Sequence, residues 1–227
     1  MKRYALILAS LLLAVTSAFA QFNRIDNKGR RQGNWHDHYS NGQVRYEGRF
    51  KNDKCKGVFR YYDEQGNLKA TNEFDKSGTK ALNKTFAPNG RIIATGYYVD
   101  QKKDGEWKYY DADSGQLRLV EDNKDGKVDG WSRLYNPKNG KLAEETQYVD
   151  GQPEGQCHKY SDTGVLLMDC QYHNGLLEGP VKTYYPSTAL KEEGQYEQGQ
   201  KVGFWKTYNE DGDVILEEVF GEQEIEE

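Results

Sequence analysis

The stretch "GFWKTYNEDGDVILEEVF" (residues 203–220) decides the fold, because it reads as two short β-strands joined by a turn. Counted by twos after Gly212, the second segment places Val214, Leu216, Glu218 and Phe220 on one face. A period of two is typical of a strand with one buried face. The "NEDG" between the two halves ends in glycine, which adopts the positive φ that a hairpin turn needs. The stretch therefore predicts a β-hairpin.

The same pattern recurs along the chain, for example in "GEWKYYDADSGQLRLVEDN" (residues 105–123). Eight copies follow one another at intervals of 24 or 25 residues, and they start at Gly33, Gly57, Ala81, Gly105, Gly130, Gly155, Gly179 and Gly203. An isolated hairpin is marginally stable in water, so each copy must pack against its neighbours. The repeat predicts an all-β fold, an elongated single-layer antiparallel meander of about eight 24-residue β-hairpins over residues 33–220.

The sequence outside the repeats divides into three segments. Residues 1–20, "MKRYALILASLLLAVTSAFA", have a basic start, an apolar run and small residues at the end, as secretory signal peptides do. A membrane anchor is the alternative, but the apolar run is shorter than the roughly 20 residues of a spanning helix. Residues 21–32 are expected to form a lead-in or cap, and residues 221–227 an acidic tail. We expect an exported protein, periplasmic or extracellular, without membrane insertion after cleavage.

The composition limits the class of fold and of partner. Hydrophobic residues make up 36% of the chain, which is low for a thick core, yet it contains 17 Tyr, 8 Phe and 4 Trp. So many aromatic residues are unusual for a disordered chain and indicate a thin structure built from amphipathic rings. The net charge of −5 argues against nucleic-acid binding, which requires a basic face.

The repeated unit resembles a known family. Its pattern "GxWxxY…xGxLxxExxY…xG" is similar to the MORN-repeat variant of the proteins called YwqK-type antitoxins, over about residues 33–220. The third copy lacks the opening glycine and tryptophan, and in the fifth copy Trp131 is out of register. The resemblance implies an elongated sheet of hairpins that binds or scaffolds other proteins, with no catalytic residues. It also implies an antitoxin role, which for an exported chain would concern a toxin met outside the cytoplasm.

Two of the three cysteines occupy repeat positions that should face each other. Cys157 takes the place of the tryptophan of other copies, and Cys170 takes that of small residues such as Gly48 and Gly96. Folding the sixth copy about its turn places the two cysteines opposite each other, so we predict a disulfide between them in an oxidising compartment. Two reduced, buried thiols are the alternative. Cys55 would be a free thiol or an intermolecular link.

The sequence predicts no catalytic residue, no cofactor and no metal site. "EDNKDGKVDGWS" (residues 121–132) hints at a calcium loop, but an EF-hand loop needs Glu in the twelfth place, where Ser132 stands. His36 and His38 could face one side of a strand, although two ligands are too few for a structural zinc site. An enzyme would also need a convergent polar pocket, which a single-layer sheet rarely provides.

The tryptophans leave two hypotheses about function. Trp35, Trp107 and Trp205 could form an exposed ladder of rings that binds a glycan or an extended peptide, or they could be the thin core. We expect a non-enzymatic protein-interaction or scaffold module of the bacterial envelope, whose partner is a protein or an extended peptide. The alternative is a glycan-binding surface protein, and the solvent exposure of the three tryptophans distinguishes the two.

Overall fold

The computed structural model describes residues 22–221, which fall into two compact units divided between Gly78 and Thr79. The regular elements of the described residues are all β-strands. The first unit contains β1 (Arg24–Ile25), β2 (Arg31–His38), β3 (Val44–Lys51), β4 (Lys54–Tyr62) and β5 (Leu68–Phe74). Each of these strands pairs antiparallel with the next one along the chain.

The second unit continues the same pattern. Its strands are β6 (Lys80–Phe86), β7 (Ile92–Val99), β8 (Lys102–Tyr110), β9 (Leu117–Lys124), β10 (Lys127–Tyr135), β11 (Leu142–Val149), β12 (Gln152–Tyr160), β13 (Leu166–His173), β14 (Leu176–Leu177), β15 (Gly179–Tyr184), β16 (Leu190–Glu197), β17 (Gln200–Tyr208) and β18 (Val214–Phe220). Neighbours in this order pair antiparallel except β14 and β15, which both pair with β13 and together occupy the place of one strand beside it. The predicted all-β meander of hairpin repeats is therefore confirmed.

Two kinds of turn connect the strands. Within a hairpin the last turn residue has positive φ, and it is glycine in every copy except the seventh, as predicted. The seventh copy has Thr188 in this place, with a φ of 74°. Within each unit the connection between copies is a two-residue loop in which both residues have positive φ, as in type I′ turns. Asn52–Asp53 and Asp100–Gln101 show that these loops form without glycine.

The core forms where an aromatic ring of one copy covers a small residue of the copy before it. Trp107 on β8 lies on Gly96 of β7, and it is 2% exposed. A Cβ atom on Gly96 would overlap the indole ring. The register between the two strands shifts beside this glycine, where Gly105 of β8 has a φ of 71°. Such a bulge bends the strand and lets the ring lie across its neighbour.

The same contact recurs in both units. Phe59 covers Gly48 in the first unit, and Trp205 covers Gly194 in the second. Neighbouring rings then meet edge to face, a geometry that adds about 0.5–1.5 kcal/mol per pair beyond burial. The centroids are 4.9–5.7 Å apart in the pairs Trp35–Phe50, Phe50–Phe59, Phe59–Phe74, Tyr98–Trp107 and Tyr196–Trp205.

Replacing Gly96 by alanine tests the ring-over-glycine contact. We expect Gly96→Ala to lower the free energy of unfolding by about 1–3 kcal/mol, because the added methyl group overpacks the space under Trp107. Urea denaturation followed by far-UV circular dichroism measures the change.

The matched control is the same substitution in a Trp107→Val background. Valine is compatible with a side chain beneath it, since Val181 holds this position in the seventh copy and is buried with Cys170. Gly96→Ala should cost little in that background. An equal cost in both backgrounds would show that the ring is not the cause.

Candidate functional site

The tryptophan positions belong to the core and not to an exposed ladder. Trp107 and Trp205 are 2% and 3% exposed, and Trp35 is half-buried. The indole N–H of Trp107 donates to the Tyr97 carbonyl at 3.0 Å, and that of Trp205 donates to Val202 at 3.2 Å. Burial removes two of the three rings from the surface that a glycan would need, which counts against the glycan-ladder alternative.

The cysteines lie on the same buried face. Cys157 and Cys170 are direct partners in the register of β12 and β13, as expected from the turn, and their Cα atoms are 5.0 Å apart. The structure joins them in a disulfide. They pack with Val181 and Trp205 in one buried cluster. Cys55 is a half-buried free thiol, and burial raises its pKa.

The opposite face carries a feature that the sequence reasoning missed. The third residue after the start of each copy is basic in all eight copies: His36, Arg60, Lys84, Lys108, Arg133, His158, Lys182 and Lys206. Because side chains alternate along a strand, these basic residues point away from the aromatic face. The regular spacing of the basic residues is visible in the sequence and could have identified this row.

The strand register of the second unit places these basic residues in one continuous row. From β6 to β18 direct cross-strand neighbours follow in the order Lys84, Thr95, Lys108, Val120, Arg133, Glu145, His158, Asp169, Lys182, Glu193, Lys206 and Glu217. We call this set the charged row. A shorter row of the same type in the first unit contains His36, Glu47, Arg60 and Thr71.

The charged row has two halves of different character. From Glu145 to Glu217 acidic and basic residues alternate strictly, and ion pairs join Lys182 to Glu193 at 3.9 Å and Lys206 to Glu217 at 3.4 Å. From Lys84 to Arg133 only Thr95 and Val120 separate the cations. Lys84 forms no ion pair with any described residue, whereas Lys108 pairs with Glu106 at 2.9 Å. Arg133 lies 3.6 Å from the Asp122 carboxylate and 3.7 Å from that of Glu145.

Tyrosines link the copies within the charged row and within the shorter row of the first unit. Each donates its hydroxyl hydrogen to a glutamate of the copy before it, at 2.7–2.8 Å, in the pairs Tyr62–Glu47, Tyr160–Glu145 and Tyr208–Glu193. The glutamate thus receives a hydrogen bond as well as a neighbouring cation. Charge-assisted hydrogen bonds are stronger than neutral ones, so the acidic members of the row are held in place.

Trp131 lies on the face of the charged row, as its shift in the repeat predicts. Its ring stacks on that of His158, with centroids 6.1 Å apart, and the Arg133 guanidinium lies 5.7 Å from the ring centre. His158 also contacts Glu145 and Asp169. Trp131 is half-buried, so it adds an aromatic surface beside the row.

The histidines and carboxylates of the described residues show no metal-binding arrangement. No group of three or more His, Cys, Asp or Glu side chains in residues 22–221 is placed to hold a metal ion. The ring centroids of His36 and His38 are 4.7 Å apart, and the His36 ring also stacks on that of Phe22. No helix among these residues is long and apolar enough to span a membrane.

Comparison with known proteins supports the repeat architecture. The MORN repeat variant family matches residues 31–52, which span β2 and β3. No curated protein matches the chain. The crystal structure of TarM is 20% identical over 43% of this chain, with a TM-score of 0.33. The crystal structure of TcdB2-TccC3-Cdc42 is 12% identical over 81%, with a TM-score of 0.20. The chain spans 19% and 12% of the lengths of those chains.

Reduction tests the contribution of the disulfide. In a Cys55→Ser background, reduction of Cys157 and Cys170 should lower the free energy of unfolding by about 3 kcal/mol, as expected for a closed loop of roughly this length. Denaturation curves with and without reductant measure the change. The wild-type chain should expose one reactive thiol when denatured without reductant; three thiols would show that the bond does not form.

The tyrosine–glutamate contacts predict a loss of stability at high pH. Burial and the hydrogen bond to Glu145 raise the pKa of Tyr160 to about 12 from its ordinary value of 10.0. The folded chain therefore favours the neutral phenol, and this contribution is complete below pH 10 and is lost as the pH rises through 12. Tyr160→Phe should flatten the pH dependence of the unfolding free energy in this window, measured by urea denaturation.

Tyr135→Phe is the matched control for this titration. Tyr135 holds the equivalent position one copy earlier, where Val120 replaces the glutamate of the preceding copy. The control should leave the slope between pH 10 and 12 closer to wild type. Equal slopes in the two variants would contradict the assignment to the Tyr160–Glu145 contact.

Proposed function

We propose that this chain is a non-enzymatic protein-interaction or scaffold module that binds an extended partner along the charged row. The observation that carries the proposal is the basic half of the row, in which Lys84, Lys108 and Arg133 recur once per hairpin. Thr95 and Val120, which lie between them, carry no charge. Lys108 and Arg133 form partly exposed ion pairs with Glu106 and Asp122, and such surface pairs are weak. Together with Trp131, the three basic residues form a surface with regular spacing on alternate strands of one unit.

The spacing of the cations favours a particular partner geometry. Equivalent positions in successive hairpins are two strands apart, which is about 10 Å. An extended segment in the polyproline II conformation repeats its side-chain direction every three residues, over about 9 Å. Acidic residues at every third position of such a segment would therefore meet successive cations. The partner is an acidic, extended protein segment lying across the strands.

The remaining elements of the proposal come from the sequence. We place the interaction outside the cytoplasm because residues 1–20 have the pattern of a signal peptide; they lie outside the described residues. The resemblance to YwqK-type antitoxins makes a toxin protein one candidate partner. A scaffold role and a toxin-neutralising role both require stoichiometric binding of a protein, so one experiment addresses both.

Affinity capture with charge-reversal variants tests this function. The tagged full chain should retain a stoichiometric protein from an envelope extract of its own source, identified by mass spectrometry. Lys84→Glu combined with Lys108→Glu should reduce the retained protein at least about tenfold, because two attractive contacts become repulsive.

The matched control is Lys76→Glu combined with Lys138→Glu. Both lysines are exposed and lie outside the strands that carry the charged row, and the net charge changes equally. The control should retain the partner. Equal loss of the partner in both double variants would show that the effect comes from overall charge and not from the charged row. Retention of polysaccharide alone, eluted by sugar, would favour the glycan-binding alternative.

A further inference from the structure

The outer edge of β18 differs from the inner strands of the second unit. From β7 to β17 the full-length strands have neighbours on both sides, whereas β18 pairs among the described residues with β17 alone. Its Val214, Ile215, Leu216 and Val219 are all exposed, Ile215 at 60%. Phe204 on β17, which faces Val219, is 73% exposed. An apolar strand with a free edge can pair with another chain.

Comparison of Glu217 with its equivalents in the charged row shows which neighbouring side chains are missing at the edge of β18. Glu193 lies between Lys182 and Lys206, and it receives the Tyr208 hydroxyl at 2.7 Å. Glu217 is the equivalent residue of the last copy. It has Lys206 on one side, at 3.4 Å, and no neighbouring strand among the described residues on the other.

The inner copies show which side chains of a neighbouring strand contact the glutamate at this position. The incoming strand supplies a cation and, two residues later, a tyrosine, as in Arg60 and Tyr62 or in Lys206 and Tyr208. We infer that the edge of β18 accepts, in antiparallel pairing, an extended segment of a partner protein that carries Lys or Arg two residues before Tyr. This inference rests on the proposed function only in assuming a protein partner, since the edge and the basic half of the charged row are separate surfaces.

A second copy of this chain is a poor occupant of the edge. The outer edge of β2 is already paired with β1, and the Asn23 side chain both donates to and accepts from the His36 backbone at 3.0 Å. The tyrosine position of that copy is also taken by His38. Two β18 strands paired antiparallel about Glu217 would bring like charges together, which is unfavourable.

The strand β10 provides a suitable probe sequence. In the fold it pairs with β9, where Ser132 lies beside Glu121. Glu218 holds the equivalent place in β18, so a synthetic peptide of residues 127–135, "KVDGWSRLY", should place its serine there. Its arginine would then face Glu217, and its tryptophan would cover Val219.

Binding of the fluorescein-labelled peptide to the full chain tests the inference. We expect saturable binding by fluorescence anisotropy, with slower amide hydrogen exchange in residues 214–220. Glu217→Lys should weaken binding about tenfold, and a peptide with Arg133→Glu should recover affinity for that variant, because the charge pair is restored with reversed polarity. Glu210→Lys, an exposed change in the turn of the same hairpin, is the control and should bind as wild type.

Several results would overturn the inference. Absence of binding at the highest soluble peptide concentration would do so, as would equal binding by Glu217→Lys and Glu210→Lys. Exchange protection of residues 214–220 that appears on self-association, without peptide, would identify a second copy as the occupant. The Lys84→Glu, Lys108→Glu variant should bind the peptide normally, so failure of the charged-row proposal is distinguishable from failure of this one.

Discussion

The packing of a ring over a small residue of the neighbouring copy is the contact on which the structure depends. Trp107 over Gly96 and Trp205 over Gly194 connect one hairpin to the next, and a hairpin alone has no surface on which to bury its ring. The contact needs a close approach of the two strands, which the absent Cβ permits. It also needs the bulge at positions such as Gly105, which turns the ring across the neighbour.

Placing the rings on one face leaves the other face to charged side chains. Successive residues of a strand point to opposite sides, so Trp107 and Lys108 serve the core and the charged row from adjacent positions. The same rule explains Trp131, whose shift by one residue moves it to the charged face beside His158. The thin core and the proposed binding surface are therefore two consequences of one periodicity.

The two ends of the charged row differ because the repeat is imperfect. Thr95 and Val120 stand where later copies have Glu145, Asp169 or Glu193, so the members of one half of the row are basic or uncharged, whereas those of the other half alternate in sign. Surface ion pairs contribute little stability on average. The alternation of acidic and basic residues from Glu145 to Glu217 therefore matters less for stability than for which charges remain available to a partner.

The hairpin repeat, its turns and the opposition of Cys157 and Cys170 could be predicted from the sequence, because a fixed period and turn glycines depend on residues close along the chain. The sequence left the tryptophans undecided between core and ladder, since periodicity does not report how much of a ring is covered. The tertiary structure decided their burial and also joined Lys84 to Glu217 in one row, because both depend on register between copies. That register is set by bulges and ring packing across strands, which no single copy contains.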